Sequence, residues 1–170
     1  MSAAGGALGA GEGYAIEQVD VALGSNVDDR ATHLAAARAA IGHLPRTRIV
    51  ATSTVEETAP VGPAGQGPYL NQMLRLATAL APRELLDRLL AVEAAAGRAR
   101  DPARRWGPRT LDCDIVRFGA RTIDEPGLTV PHPELPNRDW WLRELAELDA
   151  LLGAGAPEAS NAALPRGAAP

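Results

Sequence analysis

Along this chain the apolar spacing alternates between a strand period of two and a helix period of 3.6, in an order that leaves few folds open. Val19-Asp20-Val21-Ala22-Leu23 predicts a strand, ended by the turn Gly24-Ser25-Asn26. Asp28 and Asp29 open a helix, where carboxylates favour the N-terminal dipole, and Leu34, Ala37, Ile41 and Leu44 give it an apolar stripe that Pro45 closes. Residues 48–58, rich in Thr, Val and Ile, predict a second strand. A Pro/Gly loop over 59–68 leads to a third strand over 69–80. Pro82 suits a first helical turn, Leu85, Leu86, Leu89 and Val92 its buried stripe, and Gly97 its C-terminal cap. A fourth strand over 110–118 and a short fifth near Thr122-Ile123 follow. After the extended Pro131-His132-Pro133, Asn137 or Asp139 caps a last helix carrying Leu142, Leu145 and Leu148. The order β-α-β-β-α-β predicts an α+β, ferredoxin-like antiparallel sheet with both helices on one face, plus a hairpin arm and a C-terminal helix.

Following chain direction through that topology brings three connections to one end of the sheet: Gly24-Ser25-Asn26, the Pro/Gly loop and the arginine-rich loop 98–109. Thr58, Tyr69, Asn71, Asp112 and Asp114 fall at the same end, and His132 joins them if the fifth strand returns upward. The Ala/Gly-rich segments 1–17 and 153–170 are expected to be disordered tails around a single folded unit over 18–152.

Within that rim the run Arg104-Arg105-Trp106-Gly107-Pro108-Arg109-Thr110-Leu111-Asp112-Cys113-Asp114-Ile115 carries the most chemistry. In a strand, Asp112 and Asp114 project from one face with α-carbons about 7 Å apart. Two such carboxylates repel unless a cation lies between them. A hard ion such as Mg²⁺ suits the pair, because it keeps waters and recruits phosphate oxygens. Two Mg²⁺ on one Asp pair could clamp a polyphosphate on either side of a reacting phosphorus. Arg98, Arg100, Arg104, Arg105 and Arg109 supply planar forks for phosphate. The bland alternative is a surface Asp-x-Asp beside solvated arginines.

The seventeen basic residues are all arginine. The absence of lysine removes the P-loop and the protein-kinase strand lysine, so a nucleotide's phosphates must be held by arginine, metal and backbone. Net charge is −4, which argues against nucleic acid, and a local positive patch suits a small anion better. The lone Cys113 excludes a disulfide framework and reads as a small apolar filler in its strand. With no secretory leader pattern and no apolar run of bilayer length, a cytoplasmic protein is expected.

Other candidates surround this core. Tyr69 and Asn71 share a strand face and offer a ring and an amide to a flat polar heterocycle. Trp140 is a further platform, though either ring could be ordinary core. Trp106 is harder to explain as core in a Gly/Pro loop. Glu93, at the edge of its helical stripe, is either a partly exposed carboxylate or an acceptor for a ligand's amino or hydroxyl group. His132, framed by prolines, is either a surface histidine or a donor to phosphate.

Taken together, these segments resemble the 6-hydroxymethyl-7,8-dihydropterin pyrophosphokinases of folate biosynthesis. The likeness spans about residues 19–148. It is carried by Ala22-Leu23-Gly24-Ser25-Asn26, Glu57-Thr58-Ala59-Pro60-Val61-Gly62, Tyr69-Leu70-Asn71, Glu93, Gly97-Arg98, the Arg105 to Ile115 run and Val130-Pro131-His132-Pro133. The resemblance implies ATP as cosubstrate, the hydroxymethyl pterin as acceptor, and two Mg²⁺ on Asp112 and Asp114. It implies phosphate or nucleotide contacts for Arg98, Arg105, Arg109, His132 and Arg138, and adenosine contacts for Glu93 and Ile115. Thr58 and Val61 would meet the pterin through backbone, Asn71 through its amide, and Tyr69 and Trp140 would sandwich the ring. Arg100 and Trp106 would close over the site, excluding water. A monomer without nucleic-acid or membrane partners is expected. Pro133 and Leu90 depart from positions that are Tyr or polar in some members. Another Mg²⁺-dependent nucleotide transferase, or a non-catalytic ferredoxin-like module, are the competing readings.

Overall fold

The computed structural model describes residues 15–62, 64–98 and 107–154. Strand β1 (Glu17–Ser25) lies at the centre of a sheet in the order β2-β4-β1-β5, with β2 at Thr47–Thr52, β4 at Tyr69–Thr78 and β5 at Asp112–Phe118. All pairings are antiparallel. Helices α1 (Arg30–Gly42) and α2 (Pro82–Ala95) make the two crossovers, giving the expected βαββαβ arrangement. A hairpin of β6 (Ile123–Glu125) and β7 (Leu128–Val130) and helix α3 (Asp139–Ala154) complete the order. β1 starts at Glu17 and α3 reaches Ala154, so ordered elements run slightly beyond the expected 18–152 unit. Residues 1–14 and 155–170 of the two expected tails lie outside the described residues. Among the described residues no helix is long and apolar enough to cross a membrane.

Strand alternation assigns the two sheet faces. Val19, Val21 and Leu23 join Leu74, Leu76, Cys113 and Ile115 beneath α1 and α2, against Leu34, Ile41, Leu85 and Leu89. Ala22, Met73 and Val116 face the other way, under Trp141, Leu145 and Leu148 of α3. Thus α3 covers the face that the crossover helices leave bare. Its buried stripe differs from the expected one: Leu142 is 44% exposed, while Trp141 is 2% exposed. Positions 141, 145 and 148 fall on one side of a helix, whereas 142 is rotated off that stripe.

The expected second strand is broken. β2 ends at Thr52 and β3 (Glu56–Thr58) resumes the pairing with β4, Glu56 opposite Asn71. Between them, Ser53 Oγ accepts the Met73 N–H at 2.9 Å and the Ser53 carbonyl accepts from Gln72 Nε2 at 2.7 Å. Side-chain oxygen thus serves as the acceptor in the gap between the two strands, while the register irregularity lies upstream between Ile49 and Ala51.

Helix termini set up the rim. Asp29 caps α1, accepting the Thr32 N–H at 3.1 Å. At the far end of α2, Gly97 adopts φ +79 and donates its N–H to the Ala94 carbonyl, while the Arg98 N–H reaches the Glu93 carbonyl. This is a Schellman cap, which glycine enters without a Cβ clash. It delivers Arg98 to the start of β5.

Helix α3 is held at its sides by polar contacts. Arg75, with its side chain 3% exposed, donates to Asp20 at 2.7 Å and to Asp149 at 2.6 Å. The Thr54 N–H donates to Glu147 at 2.9 Å. Glu144, 2% exposed, has no hydrogen-bond partner for either carboxylate oxygen. Burial, then the charges of Glu56 and Glu147, push its pKa from the usual 4.5 up to about 8, with Arg143 opposing. The folded protein therefore holds a proton that the unfolded chain releases between those values. Its stabilising contribution is complete below about pH 4.5 and is lost as pH rises through about 8. Glu144→Gln cannot titrate, so the wild-type stability relative to this variant is expected to decline across that interval. Denaturant midpoints that stay parallel across it would rule out the raised pKa.

Candidate active site

The outer face of the sheet opens into a cleft at the rim. Its floor is Gly24 of β1, flanked in register by Asn71 of β4 and Asp112 of β5. A Cβ at Gly24 would stand 3.5 Å from Asn71 Oδ1 and 3.6 Å from the Tyr69 ring, projecting among the groups that line the cleft. Glycine keeps the floor clear.

Three loops meet here through Asn26. Its Oδ1 accepts the Arg109 N–H at 2.8 Å, its Nδ2 donates to Gln66 Oε1 at 3.2 Å, and its own N–H donates to the Arg109 carbonyl. Arg30 adds a 2.7 Å bond to the Pro68 carbonyl. The β1 turn, the Pro/Gly loop and the end of the arginine loop are thereby gathered at one end of the sheet, as strand direction requires.

Asp112 and Asp114 project together from β5, with side chains 16% and 26% exposed. Arg98 and Arg109 both donate to Asp112. Arg138 reaches Asp114 Oδ2 at 3.5 Å, and its guanidinium lies 4.1 Å from the Trp141 ring centroid. Burial alone would raise the pKa of Asp112, but Arg109 and Arg98 outweigh it and hold the carboxyl below its usual range. Asp114 goes the other way: burial, then the Asp112 charge, push it up to about 7 despite Arg138. The pair thus contains one carboxylate well supplied with positive charge and one short of it.

That shortfall fits a hard divalent cation, which would relieve the repulsion. Among the described residues no group of three or more His, Cys, Asp or Glu side chains forms a metal cage. Two carboxylates suffice for Mg²⁺, which completes its shell with water and phosphate oxygens.

His132 stands with Nε2 3.9 Å from Asp114 Oδ1 and its ring edge-on to Trp141 at 5.0 Å. Its Nδ1 accepts the Glu134 N–H at 3.1 Å. Burial and then Arg138 lower its pKa, so the ring is neutral and its proton must reside on Nε2. Neutral His132 is therefore a donor aimed toward Asp114.

Tyr69, Asn71, Thr58, Val61 and Trp140 all line the cleft. Asn71 Nδ2 donates to Thr58 Oγ1 at 2.8 Å, which leaves its carbonyl for a ligand, and the Tyr69 hydroxyl reaches the Gly107 carbonyl at 3.4 Å. Two residues expected to contact the nucleotide do not line this cleft. Ile115 points into the helix-side core at 4% exposure, opposite to Asp114, because adjacent strand residues alternate. Glu93 is 1% exposed and does not line the cleft. Its Oε1 accepts from Cys113 N at 2.8 Å and from Arg98 at 2.6 Å, so it orients Arg98 and covers the edge of β5. Arg100, Arg105 and Trp106 lie outside the described residues.

Gly24, Asn26 and Trp141 gained no individual role from sequence. For Trp141 the available signal was its spacing to Leu145 and Leu148; for Asn26 it was an amide beside a turn.

A model of the family described as 7,8-dihydro-6-hydroxymethylpterin-pyrophosphokinase matches residues 20–150. The chain is 47% identical over 133 residues to a Pseudomonas aeruginosa protein called 2-amino-4-hydroxy-6-hydroxymethyldihydropteridine pyrophosphokinase, covering 78% of this chain and 81% of that one. It is 41% identical over 128 residues to the Haemophilus influenzae protein of the same name, covering 75% and 79%. Against the Bacillus subtilis protein of that name it is 40% identical over 128 residues, covering 75% of each. With the match reaching every strand of the sheet and every lining residue of the cleft, the chain belongs to the 7,8-dihydro-6-hydroxymethylpterin-pyrophosphokinase family.

Proposed function

We propose that this protein transfers the β,γ-diphosphate of ATP to the hydroxymethyl oxygen of 6-hydroxymethyl-7,8-dihydropterin, releasing AMP, as a step of folate biosynthesis. The observation that carries this reading is the convergence of Asp112 and Asp114 with Arg98, Arg109, Arg138 and His132 beside a cleft lined by Tyr69, Asn71 and Trp140. One part of the site is built for charge and the other for a flat polar ring.

The pterin's ring lies between Tyr69 and Trp140, with the Asn71 carbonyl accepting from its amino edge and backbone at Thr58 and Val61 completing the outline. This places the hydroxymethyl arm toward Asp112 and Asp114. Its oxygen forms a bond to the β-phosphorus as the bond from that phosphorus to the bridging α,β-oxygen breaks. AMP departs with that oxygen, and the hydroxyl proton is lost. Asp112, kept ionised by its two arginines, orients the hydroxyl. Asp114 and Asp112 would hold two Mg²⁺, which when bound neutralise charge on the transferred phosphates. Arg98 and Arg109, now spread over Asp112, can turn their forks to phosphate oxygens as polyphosphate enters. His132 donates from Nε2 without adding a charge. Such a reaction depends on positioning and charge stabilisation more than on covalent help. The protein acts on small molecules as a cytoplasmic monomer in this reading.

With ATP, Mg²⁺ and the hydroxymethyl pterin, the products are expected to be AMP and the diphosphorylated pterin; ADP or free pyrophosphate as the nucleotide-derived product would refute the reaction. Asp112→Ala and Asp114→Ala are each expected to lower AMP formation on the order of a thousandfold while circular dichroism stays unchanged. Turnover at the wild-type rate by either variant would remove the carboxylates from the chemistry. Asn71→Ala is expected to raise the pterin KM roughly tenfold by removing a buried polar partner, with the ATP KM unmoved. An equal rise in both constants would instead indicate general damage to the cleft.

A further inference from the structure

We propose that Glu144 is a positioning residue for the aromatic wall of the site, accepting the indole N–H of Trp140 when that ring closes on the bound heterocycle. The inference rests on the reading of Trp140 as a substrate platform.

Both groups are buried and both lack partners: the two carboxylate oxygens of Glu144 and Nε1 of Trp140. Each would ordinarily cost stability in that condition. They are complementary, since an indole nitrogen only donates and a carboxyl accepts in either protonation state. They are also four residues apart on α3, on its sheet-facing side. Residues at that spacing are neighbours, and helical side chains lean toward the N-terminus, so Glu144 leans toward Trp140.

Other polar groups around Glu144 are already engaged. Arg143 is paired with Glu56, and the N–H and hydroxyl of Thr54 bond Glu147 at 2.9 and 3.0 Å. The remaining buried orphans in the described residues belong to α1, α2, the last residue of β1 or the segment just before β5. Among the described residues, then, Trp140 Nε1 is the orphaned donor on this face of α3. The Trp140 ring has somewhere to move, since it borders both the main cleft and an adjoining groove walled by Glu56 and Arg143. A pivot of the ring about its own side-chain bonds would exchange two orphans for one hydrogen bond. That exchange would favour the closed position of the platform.

The test uses the full chain and titration calorimetry with 6-hydroxymethylpterin. Glu144→Met replaces an orphaned carboxyl by an apolar group of similar length, so its melting temperature is expected to match or exceed the wild type. Its pterin affinity is nevertheless expected to fall roughly fivefold, the worth of about one hydrogen bond. Glu144→Gln keeps an acceptor and should restore affinity. In a Trp140→Phe background, which lacks the N–H, adding Glu144→Met should change nothing further. Wild-type affinity in Glu144→Met, or an undiminished loss in the Trp140→Phe background, would overturn the proposal. Trp140→Ala separates the two levels. If it weakens pterin binding while Glu144→Met does not, only this inference fails; if it has no effect, the platform reading fails as well.

Discussion

Two carboxylates on the same face of one strand, at the smallest spacing a strand allows, are the constraint around which this molecule is organised. Asp112 and Asp114 cannot both be ionised and partly buried without positive charge close by. The described protein side chains supply that charge unequally: Arg98 and Arg109 to Asp112, Arg138 at longer range to Asp114. A hard cation would relieve the residual imbalance, and the same arginines would meet phosphate in the proposed reaction. Much of the local structure serves this cluster. The glycine cap of α2 and the buried Glu93 bring Arg98 to β5. Asn26 ties Arg109 to the floor of the cleft, and the 3-10 turn at Leu135–Asn137 leads from His132 to Arg138.

The second half of the site depends on α3. The crossover helices occupy one sheet face, so a further element is needed to seal the other, and the residues that seal it also build a wall of the cleft. Trp141 packs on Met73 and Val116 while supporting His132 and Arg138, and its neighbour Trp140 faces the cleft. Packing and function are therefore carried by adjacent residues of one helical turn. The polar groups buried beneath α3 show that this layer is not optimised for stability alone. Arg75 with Asp20 makes a buried ion pair whose desolvation is costly, and the same guanidinium reaches Asp149 of α3. Glu144, buried without a partner, is harder still to justify by stability. Local violations of this kind collect where function constrains a sequence.

The legible parts of the fold were those written in short-range patterns. The βαββαβ order, the acidic start of α1, the Gly97 cap and the stripes of α1 and α2 follow from periodicity, dipole and capping chemistry, and the same reasoning gathered the three loops at one rim. The break between β2 and β3 was not legible, because a hydroxyl that substitutes for a ladder acceptor looks like any other strand serine. In the α3 stripe Leu145 and Leu148 are buried as expected, but Trp141 takes the place expected of Leu142, since both are apolar and only packing against Met73 and Val116 distinguishes them. Glu93 and Ile115, expected near the nucleotide, are both buried and do not line this cleft, a burial that residue type and local spacing do not reveal.

By itself the sequence determined the chemistry available: paired carboxylates on a strand, arginine as the sole cationic side chain, aromatic and amide groups at the same end of the sheet. These are properties of residue type and local spacing, which a linear chain expresses directly. The tertiary structure alone decided how charge is shared, with Asp112 held ionised and Asp114 pushed up to about 7. Those outcomes depend on burial and on partners distant along the chain, Arg98 from the end of α2 and Arg138 from the start of α3. Electrostatic energy is set by distance and dielectric surroundings, and neither exists until the chain has folded.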